Sequence, residues 1–338
     1  MTREFDRDWR PSASLDTLRR RAGLLHGIRE FFRERGVLEV ETPLLSTATV
    51  TDLHLHSLKT RLDLPGDDLR DLYLQTSPEF AMKRLLATSS GPIFQICKAF
   101  RDGEAGRRHN PEFTMLEWYR PGFDHHDLMD EMDAFLGRIL SAQPAERLTY
   151  REVFERWAGL DPHEATLDQL ASCARRCGID AGSADGWDRD AWLHLILSQV
   201  VEPNLGSEPA ADRTCSPRPT YLLDFPARQA ALARIRPATA GLPPVAERFE
   251  VYVHGVELAN GFHELTDPVE QRRRFELDLE ERHRRGLPAV PLDEKLLAAM
   301  EHGLPACAGV AVGVDRLLMV QEGSDDLRPM ISFDLSKA

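Results

Sequence analysis

Apolar residues at Leu15, Leu18, Ala22, Leu25, Ile28 and Phe32 recur at steps of three and four, which places them on one stripe of a helix. Ser14 fits its N-cap and Gly36 the left-handed residue that ends it. Val37 to Glu41 then reads as a short strand, stopped by Thr42-Pro43 because proline cannot donate to a ladder. Between Ile93 and Arg120 the pattern is two strands around the polar loop 105–111. A period of two puts Phe113, Met115, Glu117 and Tyr119 on one mixed face of the second strand, and Thr114, Leu116 and Trp118 on a mostly apolar one. From Asp127 to Leu205 the spacing is mostly helical, and from Ser207 to Thr220 it loosens into Pro, Ser and Ala, the signature of a surface insertion. Phe249 to Leu258 reads as a hairpin turning at His254-Gly255, which sets Tyr252 opposite Glu257 and leaves Glu250 and Glu257 on one face. A helix over Gln271–Arg285 is stopped by Gly286 and Pro288, and a shorter one ends at Gly303. Gly309 to Val314 is a small-residue apolar strand that delivers Asp315-Arg316 at its end.

Composition narrows this outline to a folded globular chain. Its 338 residues are 42% hydrophobic and carry 55 acidic against 42 basic side chains, a net charge of −13. A hormone-like peptide and a disordered tail are excluded. No apolar run approaches the ~18 residues that span a bilayer, and the amino end has no signal-peptide core, so the cytoplasm is the expected compartment. Five scattered cysteines give neither a disulfide framework nor a zinc spacing. The acidic total argues against a general nucleic-acid binder, which needs a Lys/Arg surface.

Two carboxylates on one hairpin face repel unless a cation or proton lies between them, so Glu250 and Glu257 are candidate magnesium ligands; an exposed polar strand face is the plainer alternative. Arg101 and Arg316 sit among apolar or small residues, where a guanidinium needs an anionic partner, either a buried carboxylate or a ligand. Taken together, two arginines and two carboxylates suggest a polyphosphate with a divalent ion. No Walker loop or dinucleotide glycine fingerprint is present to hold it.

Phe100-Arg101 followed by Arg108-His109-Asn110-Pro111-Glu112-Phe113-Thr114-Met115-Leu116-Glu117 resembles motif 2 of the class II aminoacyl-tRNA synthetases. Gly309 to Arg316 resembles their motif 3, and Gly36 to Pro43 their motif 1. Asn260 to Leu265 and Thr76-Ser77-Pro78-Glu79 are similar to the lysine branch. This resemblance implies an α+β fold, an antiparallel sheet flanked by helices. It also implies one catalytic domain over 1–338, with a helical insertion at about 127–220 between motifs 2 and 3. By the same resemblance Arg101 holds the α-phosphate of ATP and Arg316 the γ-phosphate side, and these two are the catalytic pair. Asp102, Gly103, Glu104, His109, Asn110, Phe113, Glu257, Leu258 and Gly313 complete the nucleotide set, with Phe113 stacking adenine against Arg316. Glu250 and Glu257 match the magnesium ligands. Glu264 and Tyr119 match the groups that hold a lysine side-chain ammonium, and Glu79 the one for the nearer amino group. Glu117, Asn260, Ser77, Pro78, Phe262 and Ala311 complete the amino-acid wall. Two positions depart from the pattern: Gly103 stands where a glutamate is usual, with Glu104 following, and Ala311 stands where lysyl-tRNA synthetases have glycine.

Lysyl-tRNA synthetases carry an amino-terminal OB-fold anticodon domain ahead of this core, whereas here the core begins almost at residue 1. The chain therefore looks like the stand-alone elongation factor P lysine ligases, a likeness that Trp118 and Val50-Thr51-Asp52 share. That likeness implies activation of (R)-β-lysine, or less well lysine, as an adenylate, followed by transfer to a lysine of elongation factor P. It also implies a homodimer built near Pro43 and no membrane or tRNA partner. A truncated synthetase that charges tRNA and a non-catalytic paralogue are the competing readings. Loss of a motif arginine or a magnesium glutamate would signal the paralogue, and all four are present.

Overall fold

The computed structural model describes residues 9–63, 70–180, 186–207, 216–239 and 241–338. Twelve strands occur among them: β1 (Leu38–Glu39), β2 (Leu45–Ser46), β3 (Lys59–Leu62), β4 (Arg70–Leu74), β5 (Ile93–Phe100), β6 (Glu112–Pro121), β7 (Glu146–Thr149), β8 (Thr220–Pro226), β9 (Ile235–Arg236), β10 (Val245–Val253), β11 (Val256–His263) and β12 (Cys307–Gly313). Nine build one sheet in the order β1-β5-β6-β12-β11-β10-β8-β7, with β9 on β10; β2, β4 and β3 form a small second sheet. The centre is antiparallel, and only the β1–β5 and β7–β8 pairings at the two ends are parallel.

The helices are α1 (Leu15–Glu34), α2 (Glu79–Leu86), α3 (His125–Leu140), α4 (Tyr150–Val153), α5 (Leu167–Arg176), α6 (Arg189–Ile196), α7 (Pro268–Arg284), α8 (Glu294–Gly303) and α9 (Val314–Gln321). One face of the sheet is packed by α1, α3 and α9, where Phe32, Leu116, Trp118, Phe135, Val310 and Leu318 share a core. On the other face α2, α7 and α8 gather Met82, Phe275, Leu297 and Met300 around Ile93 and Tyr119. This splits β6 as its period of two requires: Leu116 and Trp118 point into the core, and Met115, Glu117 and Tyr119 point to the opposite face. A separate core joins α4, α5 and α6 to Leu222, Phe225 and Tyr252. The helix over 125–140 packs in the main core, and the second core takes in the chain from α4 onward together with these β8 and β10 residues. Within the Pro/Ser/Ala stretch 207–220, residues 208–215 lie outside the described residues.

Three local expectations are modified. Helix α1 is capped by Ser14, whose Oγ accepts from Thr17 N at 3.0 Å, but it buries Thr17, Leu24, Ile28, Phe31 and Phe32, while Leu15 and Ala22 face outward. The rotation follows from Arg21, which lies on the inner face and reaches Asp315 at 2.6 Å; apolar spacing cannot register a buried ion pair. Arg316 lies in the first turn of α9, because β12 already ends at Gly313. The hairpin does turn at His254-Gly255, both at positive φ (52° and 67°), the geometry of a two-residue primed turn. However, β11 carries an irregularity opposite Val251/Tyr252. The extra residue lets Glu257 and Asn260, three apart, share the face of Glu250.

Candidate active site

A cavity of about 320 Å³ opens on the α2/α7 face of the sheet. Its floor is the middle of one cross-strand row in register, Glu117, Ala311 and Asn260 from β6, β12 and β11, a row that Gln95 on β5 and Glu250 on β10 continue outside the lining. Three carboxylates, Glu79, Glu117 and Glu264, meet at one end. Tyr119 donates to Glu117 Oε1 at 2.5 Å, and the other oxygen, Oε2, is buried without a hydrogen-bond partner among the described residues. Gly309 makes this crowding possible, since a Cβ there would overlap the Tyr119 ring and the Glu264 carboxylate.

Lys83 completes the cluster, its Nζ 2.6 Å from both Glu79 and Glu264. Burial works against its charge, but Glu264 and Glu79 outweigh it and hold the ammonium protonated. Glu117 and Glu264 are pushed up to about 8, mainly by burial and further by Glu79. With one cation among three carboxylates, the pocket is short of positive charge. A ligand with two ammonium groups supplies what is missing.

At the other end the groups are cationic. The Arg101 guanidinium lies over the Phe113 ring (5.1 Å to the centroid) and 3.7 Å from Glu104, with its Nε buried and unpaired. Arg316 donates to Glu257 O at 2.8 Å and Glu257 Oε2 at 3.2 Å, and lies 2.7 Å from His109 Nε2. Burial and the neighbouring Arg316 lower the His109 pKa, which keeps that imidazole neutral. The Phe113 ring, expected to stack on adenine opposite Arg316, lies beside the Arg101 guanidinium, while Arg316 is held by Glu257 and His109. Asp315 aims Arg316: its carboxylate accepts from Thr114 N at 2.7 Å and pairs with Arg21, fastening α9 to β6 and α1.

Most of the expected site residues line this cavity: Ser77, Glu79, Arg101, Glu104, His109, Asn110, Phe113, Glu117, Tyr119, Glu257, Leu258, Asn260, Phe262, Glu264, Ala311, Gly313 and Arg316. Asp102, Gly103, Pro78 and Glu250 do not. Asp102 and Gly103 form an exposed turn in which Gly103 has φ 81°, and that turn brings Glu104 into the cavity where the usual glutamate is missing. Pro78 is the N-cap residue of α2. Asn110 spends its amide on the protein, donating to Glu112 O at 2.6 Å and accepting from Leu335 N at 3.1 Å. Glu250 is buried beneath the floor and accepts from Arg248 and from Tyr252 Oη at 2.6 Å.

Arg248, Lys83 and Glu202 had not been singled out in the sequence. Arg248 lies over Phe225 at 4.3 Å and donates to Asn260 Oδ1 at 3.1 Å as well as to Glu250, orienting both. Alternation along Glu247-Arg248-Phe249-Glu250 could have marked it, and the i,i+4 pair Glu79/Lys83 could have marked the lysine. Glu202 follows the helical segment far from β10 in sequence and carries no such signal. It lies 3.3 Å from Tyr252 Oη, and burial with the nearby Glu250 and Glu257 lifts its carboxyl to about 7.

The sequence matches the family of tRNA synthetases class II (D, K and N) over residues 5–337. This chain belongs to that class II family. Within it, the chain is 52% identical over 327 residues to the elongation factor P–(R)-beta-lysine ligase of Vibrio vulnificus, covering 96% of this chain and 98% of the relative. It is 52% identical to the protein of the same name from Pseudoalteromonas translucida and 50% identical to that from Klebsiella pneumoniae, each over 98% of both chains. The cross-strand floor between a carboxylate cluster and an arginine pair thus lies within a class II fold.

Proposed function

We infer that this chain is an ATP-dependent ligase that activates (R)-β-lysine as an adenylate and transfers it to a lysine ε-amine of elongation factor P. The observation that carries the reading is the buried, unpaired Glu117 Oε2, set between Glu79 and Glu264 and facing the arginine pair across one cavity. A small acid with two amino groups satisfies the carboxylate end, and its carboxylate then points toward Arg101. In the first step that carboxylate attacks the α-phosphorus of ATP and pyrophosphate leaves. Arg101 neutralises charge developing on the α-phosphoryl oxygens, and Arg316 holds the departing phosphates. In the second step the neutral ε-amine of the acceptor attacks the adenylate carbonyl, an amide forms and AMP leaves.

Magnesium fits the oxygen-only donors here, since it is usually held by one or two carboxylates together with substrate phosphates. Glu257 is the carboxylate open to the cavity, Glu250 the supporting one, and the bound ion would offset charge on the phosphates. The net charge of −13 disfavours tRNA as the acceptor, because tRNA binding depends on phosphate contacts. A homodimer is part of this reading, supported by the outward-facing Leu38, Leu44 and Leu45 around Pro43. Amino-acid-dependent ATP–pyrophosphate exchange tests the first step. (R)-β-lysine should support it and Arg101→Lys should reduce it about a hundredfold or more; exchange without any lysine isomer, or unaffected by Arg101→Lys, contradicts it.

A further inference from the structure

On the face of the sheet turned away from the cavity, three side chains from three elements converge. His125 comes from the first turn of α3, Glu247 from β10 and His263 from β11. One potential ligand atom from each lies within 4.8 Å of the other two, a convergence that no other His/Cys/Asp/Glu trio among the described residues makes. His263 Nδ1 is 2.7 Å from Glu247 Oε2. His125 is 2% exposed, and neither of its ring nitrogens has a hydrogen-bond partner among the described residues. Buried polar groups are almost always paired, so an imidazole left without any bond beside a carboxylate and a second imidazole calls for a missing partner.

We propose that His125, Glu247 and His263 bind one divalent transition-metal ion, zinc being the ion this donor set suits best. Two imidazoles and one carboxylate are ligands that zinc takes, and three protein ligands leave a fourth position for water. Around a tetrahedral zinc the ligand atoms stand about 3.3 Å apart, within what small side-chain rotations achieve from the present separations. The other charged groups facing the trio are compatible. Arg234 Nε is 3.7 Å from Glu247 Oε2, but its side chain is 58% exposed and free to swing away. His126 lies beside His125, its ring tilted at 37° with centroids 4.1 Å apart, and Asp124 is occupied in capping α3.

The position gives such an ion a purpose. By alternation, the neighbours of the trio point the other way: Arg248 beside Glu247, and Phe262 and Glu264 flanking His263, all line the cavity. The ion would therefore clamp α3 to the two strands that carry the carboxylate end of the active site, acting as a positioning element and leaving the chemistry to the other face. Sequence spacing gives no hint of it, because the ligands are more than a hundred residues apart at the widest.

The test uses the full chain, stripped with a chelator and kept in excess Mg²⁺, and titrated with Co²⁺ as a spectroscopic stand-in and with Zn²⁺. One equivalent of Co²⁺ should give d–d absorption bands, and one of Zn²⁺ should raise Tm. Both effects should be lost in His125→Leu and weakened tenfold or more in Glu247→Gln, while His125→Leu retains magnesium-dependent ATP–pyrophosphate exchange. X-ray absorption of the zinc-loaded unsubstituted protein should show two imidazoles, which keeps the proposal testable if a variant fails to fold. Absence of a saturable equivalent, bands that persist in His125→Leu, or a shell containing sulfur or oxygen alone would overturn it.

Discussion

At the scale of single residues, the pocket is governed by how few cations it holds. Glu117 and Glu264, raised to about 8 chiefly by burial, keep protons on the empty protein that an incoming diamine must displace. Affinity for lysine should therefore rise with pH, the apparent KM falling from about pH 6.5 to about pH 8.5. The sign for stability is opposite. Carboxyls with raised folded pKa values contribute fully below the ordinary carboxylate range, and the contribution is lost as pH climbs through about 8. Lysine should then raise Tm more at the alkaline end. Glu117→Gln keeps an acceptor for Tyr119 but removes the charge, and is expected to raise KM at least tenfold and to flatten this pH dependence; an unchanged profile in initial-rate kinetics would remove Glu117 from the pocket's ammonium site. Ala311 faces Glu117 and Asn260 across the floor. With a methyl at this position of the cavity lining, Ala311→Gly is expected to shift the ratio of adenylation rates from β-lysine toward α-lysine. Measuring that ratio with both isomers decides the matter, and an unchanged ratio would count against the methyl.

At the scale of elements, the site lies on a row of residues spread across five strands, and it depends on how closely those strands approach. Gly309 on β12 is the tightest point. Gly309→Ala would drive a methyl into Tyr119 and Glu264, and the expected outcome is loss of lysine activation with ATP binding retained, read by exchange kinetics beside nucleotide fluorescence. Loss of both together would mean that the strand as a whole had failed. The two strands around loop 105–111 and the hairpin were legible, since the two faces of β6 and the primed turn at His254-Gly255 follow from residue order, whereas β7 (Glu146–Thr149) lies inside a stretch that reads as mostly helical. What escaped was long-range polar pairing. The buried face of α1 is rotated by Arg21 and Asp315, residues almost three hundred positions apart. The irregularity in β11 that aligns Glu257 with Asn260 has no marker in composition. Lys83 and Arg248 were hidden for the same reason, since each is defined by partners on other elements or by a face that only the sheet reveals. Individual motif residues were recoverable from their order along the chain, whereas the tethers that aim them were not.

At the scale of the whole molecule, α1, α3 and α9 cover one face of the sheet, and the cavity opens on the other beside α2 and α7. Leu38, Leu44 and Leu45 remain outward on the segment around Pro43. A Leu44→Glu/Leu45→Glu variant should sediment as a monomer where the unsubstituted chain sediments as a dimer, and identical sedimentation would place the contact elsewhere. The net charge of −13 favours a protein acceptor over a nucleic acid, whose binding leans on phosphate contacts. The most direct measurement is the intact mass of elongation factor P and, in parallel, the aminoacylation of tRNA, after each is incubated with the enzyme, ATP, magnesium and (R)-β-lysine. The expected result is a mass gain of one lysyl residue on elongation factor P, abolished by Arg101→Lys, with tRNA uncharged. Charged tRNA beside unmodified elongation factor P would contradict it.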